Sequence, residues 1–273
     1  MSERVDIKSV SLDYNTANSR LILLDYDGTL VPFELHPDLT TPQPGLLRLM
    51  AALANDRKNH VVIVSGRDRR HLEKTWRSQG VVLAAEHGAF YLNPGGAWRS
   101  MFSVSGDWTK AALPALKALS FQYEGSILEV KEYSLAWHYR AIEDKVTEAD
   151  RRQILAALRA LPCHKHFIIY DSDCTIELRT PGIDKGAFVA KWIGIRHYDF
   201  VLAIGDGKTD EDLFKIFGDK SYTVKVGKSE HSAANFYIDR QSEVVPFLEK
   251  IVVANDEFER MRKRIGLHDF FNG

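Results

Sequence analysis

The hydrophobic pattern of the chain is dominated by five short apolar runs, each followed by glycine or polar residues. Runs of this length and apolarity are typical of strands that are buried on both faces of a parallel sheet. Stretches with helical spacing of apolar residues, 44–55 and 69–78, separate the first three runs. This alternation predicts a parallel sheet with crossover helices, the Rossmann-like α/β class. The runs are 21–24, 60–64, 81–85, 201–204 and 222–226.

The middle of the chain, from about 106 to 180, has a different pattern. Its apolar segments alternate with polar residues, as in an antiparallel sheet with one solvated face, and two helical stretches lie among them. The turn-forming sequences Asn93-Pro94-Gly95-Gly96 and Pro181-Gly182 mark its borders. The predicted strands are 127–131, 134–139, 167–170 and 175–179, and the predicted helices are 110–119 and 148–160.

These patterns predict a core domain that is interrupted by an inserted cap domain. The core comprises 1–105 and 183–273, and the α+β cap comprises 106–182 and lies over the cleft of the core. Residues 1–17 and 254–273 are weakly patterned, and we expect them to be peripheral.

Composition and charge narrow the class of protein. The 273 residues are 45% hydrophobic and carry a formal net charge of −1, which predicts a large core and no charged surface for nucleic acid or an anionic membrane. No run approaches the roughly 18 apolar residues of a membrane span, and the first residues lack the apolar core of a signal peptide. Cys163 and Cys174 are too few for a disulfide framework. We therefore expect a cytoplasmic protein without nucleic-acid or membrane partners.

Two carboxylates, Asp25 and Asp27, directly follow the first apolar run. Ligands of parallel α/β sheets bind beyond the carboxyl ends of the strands, which is where these residues fall. Two like charges this close cost free energy unless a cation or a proton offsets them. The pair therefore indicates a metal site, an acid–base pair, or both. An EF-hand loop is excluded, because Gly28 falls at its fourth position and His36 at its twelfth, where glutamate is required.

A second acidic cluster, 206–212, follows the fourth apolar run. Thr209 and Asp212 fit a capping box, and Asp210 and Glu211 would complement the positive end of the helix that follows. Helix capping therefore explains Glu211 and Asp212.

Asp206 precedes that helix and requires another explanation. A hard cation that bridges Asp25 and Asp206 supplies one, since Mg²⁺ binds one or two carboxylates together with water and phosphate oxygens. Asp210 would then not contact the metal itself but would orient a metal-bound water or Lys185.

The remaining short motifs are weak signals when taken singly. Ser65 ends a strand and could cap the next helix, and Lys185 could be a solvated surface residue. The dinucleotide fingerprint is excluded, because Gly205 and Gly207 are followed by Asp210 instead of glycine. No phosphate-binding loop ending in Gly-Lys-Ser/Thr is present.

The order of these motifs, Asp-x-Asp-Gly-Thr, Ser-Gly-Arg, Lys-Gly and Gly-Asp-x-x-x-Asp, resembles that of the haloacid dehalogenase-like phosphohydrolases. The resemblance implies that Asp25 attacks phosphorus to form an aspartyl-phosphate and that Asp27 acts as acid and then base. It also implies that Ser65 and Lys185 bind the phosphoryl group. Mg²⁺ would be held by Asp25, Asp206 and the backbone carbonyl of Asp27.

A narrower resemblance is to the trehalose-6-phosphate phosphatases. It rests on 21–30, 64–67, 85–88, 129–134, 138–140 and 177–179. It implies a small-molecule sugar phosphate as the substrate, trehalose 6-phosphate, hydrolysed to trehalose and phosphate. By the same resemblance, Glu129, Lys131 and Glu177 hydrogen-bond glucose hydroxyls and Arg67 lines the cleft. The spacing of two residues places Glu129 and Lys131 on one face of a strand. That face could instead be a solvent-exposed face of the sheet with no role in binding. His87 and His138 are unassigned, because single histidines are more often structural.

Gly207 departs from the family pattern, which usually has aspartate there, so the metal site could be altered. Residues 14–20 resemble the junction between synthase and phosphatase halves of tandem proteins, which makes a trehalose-6-phosphate synthase domain a possible partner. Two alternatives stay open. The substrate could be another sugar phosphate, such as sucrose 6-phosphate or glucosyl-3-phosphoglycerate, or the chain could be a catalytically silent domain that binds a synthase.

Overall fold

The computed structural model describes residues 2–35, 40–172 and 174–264, except for the side chains of 262–264. Its strands are β1 (Glu3–Arg4), β2 (Arg20–Leu24), β3 (Asn59–Val64), β4 (Val82–Ala85), β5 (Phe90–Leu92), β6 (Arg99–Ser100), β7 (Ile127–Val130), β8 (Ser134–His138), β9 (Ile168–Ser172), β10 (Thr175–Arg179), β11 (Phe200–Gly205), β12 (Tyr222–Val226) and β13 (Phe236–Ile238). Its helices are α1 (Ile7–Thr16), α2 (Pro44–Asn55), α3 (Arg69–Trp76), α4 (Trp108–Gln122), α5 (Glu148–Arg159), α6 (Lys185–Ile193), α7 (Glu211–Phe214) and α8 (Val244–Arg264). Short 3₁₀ segments lie at Arg77–Gln79, Glu86–Gly88, Arg140–Lys145, His164–His166 and Gln241–Glu243.

A nine-stranded sheet in the order β1-β13-β12-β11-β2-β3-β4-β5-β6 forms the larger part of the molecule. β2 is at its centre, pairs in parallel with β3 and β11, and has every residue buried. β5 and β6 form an antiparallel edge. The predicted α/β class with a mainly parallel sheet is therefore confirmed, and the carboxyl ends of β2, β3, β4 and β11 meet at one edge.

Helices cover both faces of this sheet. α1, α2, α3 and α8 contribute buried apolar residues to one face, and α6 and α7 contribute them to the other. No helix among the described residues is long and apolar enough to cross a membrane.

The expectation that residues 1–17 are peripheral is wrong. Asp6 caps α1 by accepting the backbone N–H groups of Lys8 and Ser9. The helix lies against α8 and buries Val10 and Tyr14, which are 0% and 1% exposed. Ile7, Val10 and Tyr14 lie at helical spacing, but the many polar residues between them weaken the sequence signal. Of the other terminus, 254–264 continue α8, and 265–273 lie outside the described residues.

A second, four-stranded sheet has the order β7-β8-β10-β9 and is antiparallel throughout. One face packs on α4 and α5 in a separate apolar cluster that includes Leu135 and Trp137. The alternate residues Ala136 and His138 line a cavity on the opposite face. These elements fall inside the predicted cap at 106–182, whose boundaries stay a prediction.

Candidate active site

A cavity of about 560 Å³ lies between the carboxyl edge of the large sheet and the open face of the small sheet. Small-molecule sites typically have volumes of about 300–1,000 Å³. Asp210 is 0% exposed and lies behind the cavity wall. The other predicted side chains line the cavity: Asp25, Asp27, Ser65, Arg67, Lys185 and Asp206 from the core, and Glu129, Lys131 and Glu177 from the cap.

Lys185 is the buried cation of this site. It begins α6, which Asp184 caps by accepting the N–H of Ala187 at 2.7 Å. Its Nζ lies 2.6 Å from Oδ1 of Asp25 and 2.8 Å from Oδ1 of Asp210. Burial alone would lower the pKa of Lys185, but the Asp210 and Asp25 carboxylates raise it above its ordinary value. The ammonium is therefore charged and held against both carboxylates.

Three carboxylates converge beside this ammonium. Oxygen atoms of Asp25, Asp206 and Asp210 lie within 4.8 Å of one another. Burial, followed by the charge of Asp210, raises the pKa of Asp25 well above its ordinary value. The same two causes raise the pKa of Asp206 to about 6. The ammonium groups of Lys185 and of Lys225, which donates to the carbonyl of Asp206, offset only part of the charge of three carboxylates, so a further cation would stabilise the cluster. Hard carboxylate oxygens are the donors that Mg²⁺ prefers, and the residues present fit that ion.

Asp210 is engaged on both of its oxygens. Oδ1 accepts from Lys185, and Oδ2 accepts the backbone N–H of Gly207 at 3.0 Å. Asp25 and Asp206 line the cavity, whereas Asp210 does not. This geometry favours a role for Asp210 in orienting Lys185 and leaves Asp25 and Asp206 as the carboxylates that face a bound ion.

The backbone at Gly207 does not require glycine. A Cβ atom placed there would meet no atom closer than 3.6 Å, whereas a Cβ atom at Gly205 would lie 2.1 Å from Cγ of Asp210. Glycine at 207 therefore removes a side chain from the edge of the site, while glycine at 205 makes room for Asp210.

The predicted capping box of Thr209 and Asp212 is wrong. α7 has Asp210 at its N-cap, in helical conformation, and no side chain caps it. Because the helix starts after Asp210, Thr209 is too early to cap it. Glu211 instead accepts the hydroxyl of Ser232 at 2.8 Å and the N–H of Ala233 at 2.7 Å, which ties α7 to the loop before β13.

Asp27 is held by Arg67 in a two-pronged hydrogen bond. Nε of Arg67 lies 2.7 Å from Oδ2 of Asp27, and Nη2 lies 2.5 Å from Oδ1. Nη2 also donates to the hydroxyl of Thr40 at 3.0 Å. The planar guanidinium fits such pairing with a carboxylate and fixes its orientation. Arg67 lines the cavity as predicted, but its nearest partner is Asp27.

Ser65 lies at the end of β3 and is 1% exposed. Its hydroxyl oxygen accepts the backbone N–H of Arg67 at 3.1 Å. The residue therefore stabilises the turn that carries Arg67. It also lines the cavity, and its contact with a phosphoryl group stays a prediction.

The predicted sugar-binding residues form a charged cluster on the cap. Nζ of Lys131 lies 3.0 Å from Oε2 of Glu129 and 4.0 Å from Oε1 of Glu177. Burial opposes ionisation of Glu129, but Lys131 and His138 lower its pKa to about 2. The solvated-face alternative does not fit, because the side chain of Lys131 is only 5% exposed. The cluster presents ionised groups toward the cavity.

Two histidines that were left unassigned belong to this cluster. Nε2 of His138 lies 3.1 Å from Glu129, and Nδ1 lies 3.1 Å from the hydroxyl of Thr175. Nε2 of His87 lies 3.1 Å from Oε2 of Glu177. Glu86 and His87 follow the apolar run 81–85, so the rule that placed Asp25 and Asp27 also places His87 at the cavity edge. That signal was present in the sequence.

Comparison with known proteins identifies the relatives of the chain. The trehalose-phosphatase family model matches residues 23–242. A bifunctional trehalose-6-phosphate synthase/phosphatase from Thermoproteus tenax is 35% identical over 225 residues, which cover 82% of this chain and 31% of that protein. A trehalose-phosphatase from Schizosaccharomyces pombe is 31% identical over 252 residues, which cover 86% of this chain and 31% of that protein. The chain thus spans about a third of the length of these relatives.

A solved structure gives the same result for the fold. The C-terminal domain of trehalose-6-phosphate phosphatase from C. albicans superposes with a TM-score of 0.84 at 26% identity. The match covers 93% of this chain and 99% of that one. The predicted haloacid dehalogenase-like fold is therefore confirmed.

Proposed function

The chain belongs to the trehalose-phosphatase family, and we propose that it is a Mg²⁺-dependent phosphomonoesterase that hydrolyses trehalose 6-phosphate to trehalose and phosphate. The observation that carries the proposal is the composition of one cavity. Its core wall holds a buried Asp25–Lys185 pair suited to phosphoryl transfer, and its cap wall holds ionised groups suited to sugar hydroxyls.

The first step forms the aspartyl-phosphate. A carboxylate oxygen of Asp25 attacks phosphorus, the bond from phosphorus to the sugar oxygen breaks, and Asp27 gives a proton to that oxygen. Arg67 donates to both oxygens of Asp27, and each oxygen keeps a second lone pair that can carry the proton. Lys185 stays beside Asp25 and binds a phosphoryl oxygen.

The second step releases phosphate. Asp27 takes a proton from water, the water oxygen bonds to phosphorus, and the bond to Asp25 breaks. Asp25, Asp206 and the carbonyl of Asp27 would hold Mg²⁺, which when bound offsets the charge of the carboxylates and of the phosphoryl oxygens. Lys185, fixed by Asp210, keeps the Asp25 carboxylate oriented through both steps.

The sugar binds to the cap through hydrogen bonds. Glu129, Lys131 and Glu177 offer charged acceptors and a donor, and hydrogen bonds with charged groups are the stronger kind. Two polar contacts also join the cap to the core. Nζ of Lys208 donates to the carbonyl of Asp171 at 2.8 Å, and Arg69 pairs with Glu132 at 3.0 Å.

We infer a trehalose-6-phosphate synthase domain, on the same chain or another, as the partner that supplies the substrate. The support is the name of the Thermoproteus tenax relative, which is bifunctional. The test is a coupled assay in which the synthase makes the ester from a nucleotide sugar. The overall rate is compared between a synthase domain joined to or bound by this chain and a mixture in which the two enzymes do not associate. A higher rate for the joined or bound pair supports the partnership, and an equal rate counts against it.

The function itself is tested by phosphate release from a panel of sugar phosphates, after chelation and after Mg²⁺ is restored. We expect release from trehalose 6-phosphate and recovery of activity with Mg²⁺. Release from sucrose 6-phosphate alone would disprove the substrate, and full activity in chelator would disprove the metal dependence. No release from any ester would favour a silent domain.

A further inference from the structure

The turn between β4 and β5 has an unusual backbone. Glu86, His87 and Gly88 have φ values of 51°, 58° and 94°, so two consecutive residues other than glycine are left-handed. This conformation costs free energy for residues with a Cβ atom. It persists where the surroundings fix it, and such positions cluster at functional sites.

This turn reaches the cap at two points. Nε2 of His87 lies 3.2 Å and 3.1 Å from the two carboxylate oxygens of Glu177. Oε2 of Glu86 accepts the backbone N–H of Tyr133 at 3.4 Å, two residues after Lys131. The strained turn of the core therefore contacts both segments of the cap that carry the proposed sugar-binding residues.

The same histidine is fixed to the core. Its backbone N–H donates to the carbonyl of Ser65 at 2.9 Å. Its ring packs on Gly66, where an added Cβ atom would lie 2.8 Å from Cε1 of the imidazole. The imidazole thus lies directly on the loop of Ser65 that is proposed to bind the phosphoryl group.

The hydrogen bond to Glu177 defines the tautomer of the ring. Burial lowers the pKa of His87 to about 4, so the imidazole is neutral near pH 7. Burial alone would raise the pKa of Glu177, but His87, Lys131 and Arg179 hold it well below its ordinary value. An ionised carboxylate only accepts hydrogen bonds, so the proton is on Nε2. Nδ1 has no hydrogen-bond partner among the described residues.

We propose that His87 is a positioning residue that aims the Glu177 carboxylate at the sugar and ties it to the Ser65 loop. This proposal rests on the proposed function, because the orientation of Glu177 matters for catalysis only if Glu177 binds the sugar. One imidazole thus connects the cavity wall proposed to recognise the sugar with the wall proposed to bind phosphate.

The test uses two matched variants. In His87→Gln the amide nitrogen can occupy the place of Nε2, whereas in His87→Asn it reaches only the place of Nδ1. KM and kcat are measured with trehalose 6-phosphate and with p-nitrophenyl phosphate, together with the melting temperature. We expect His87→Asn to raise KM for the disaccharide ester at least about tenfold more than KM for the small ester. His87→Gln is expected to keep KM for the disaccharide ester within about threefold of the wild-type value.

The proposal would be overturned if the two variants changed KM for the disaccharide ester equally. It would also be overturned if a variant with an unchanged melting temperature raised KM equally for both substrates. Nitrogen chemical shifts of the imidazole give a readout that is independent of activity and of whether the variants fold. We expect a ring protonated on Nε2 whose Nε2 shift changes in Glu177→Ala, and a ring protonated on Nδ1 contradicts the proposal. If the wild type does not hydrolyse trehalose 6-phosphate, the proposed function fails, and the shifts still decide whether His87 holds Glu177.

Discussion

Replacement of Lys185 by methionine tests the electrostatics of the cavity. The change keeps most of the buried volume of a side chain that is 2% exposed, and removes the charge between Asp25 and Asp210. Loss of one partner from a buried ion pair costs about 3–5 kcal/mol, because the remaining charge is left unpaired. At about 2–4 °C per kcal/mol, the expected fall in melting temperature is roughly 6–20 °C.

The assay is thermal and denaturant unfolding in the presence of a chelator, so that no divalent cation replaces the ammonium. Lys250→Met is the matched control, since Lys250 also lies on a helix of the core but is exposed. It should change the free energy of unfolding by no more than about 0.5 kcal/mol. Adding Asp210→Asn to Lys185→Met should recover part of the loss, because it removes one of the unpaired carboxylates.

The pH dependence of this defect has a definite sign. Burial and Asp210 already raise the pKa of Asp25 in the folded state, and loss of Lys185 raises it further. A carboxyl with a raised pKa binds more protons when folded, so its contribution to stability falls as pH rises from about 4 through the folded pKa. The defect of Lys185→Met should therefore be smaller at pH 5 than at pH 8. A loss below about 1 kcal/mol, or a defect that shrinks with rising pH, would refute the reasoning.

Two further predictions concern glycine and arginine. Gly205→Ala should destabilise the protein by about 1–3 kcal/mol, because its Cβ atom would collide with Asp210, whereas Gly207→Ala should be nearly neutral; equal melting temperatures of the two variants would contradict this. Arg67→Lys should lower kcat for the disaccharide ester and for a small aryl phosphate alike, since an ammonium cannot bind both oxygens of Asp27 in the same plane. A rise in KM confined to the disaccharide ester would instead make Arg67 a sugar ligand.

The sequence predicted the main sheet well because its strands are short, apolar and buried on both faces. The edge where these strands end also follows from parallel pairing, which is why the sequence alone places Asp25, Ser65 and Asp206 together. Prediction failed for α1, which packs on α8 through Val10 and Tyr14 and through a hydrogen bond from Asn15 to the carbonyl of Ala254.

Contacts between distant parts of the chain could not be predicted in this way. Arg67 pairs with Asp27 across 40 positions, and His87 meets Glu177 across 90, and neither spacing leaves a periodic signal. The second contact depends on how the cap docks on the core, which no local pattern encodes. The cytoplasmic location stays a prediction.

The central claim is that Asp25 is the nucleophile of a sugar-phosphate phosphatase, and Asp25→Asn tests it most directly. The neutral amide relieves repulsion from Asp210, and Lys185 keeps its bond to Asp210, so the variant should fold with an unchanged or higher melting temperature. Phosphate release from trehalose 6-phosphate by this variant and the wild type is the measurement. We expect the wild type to release phosphate with Mg²⁺ and the variant to be slower by at least about a thousandfold, which corresponds to about 4 kcal/mol of lost transition-state stabilisation. A folded variant that retains a substantial fraction of wild-type activity would contradict the account.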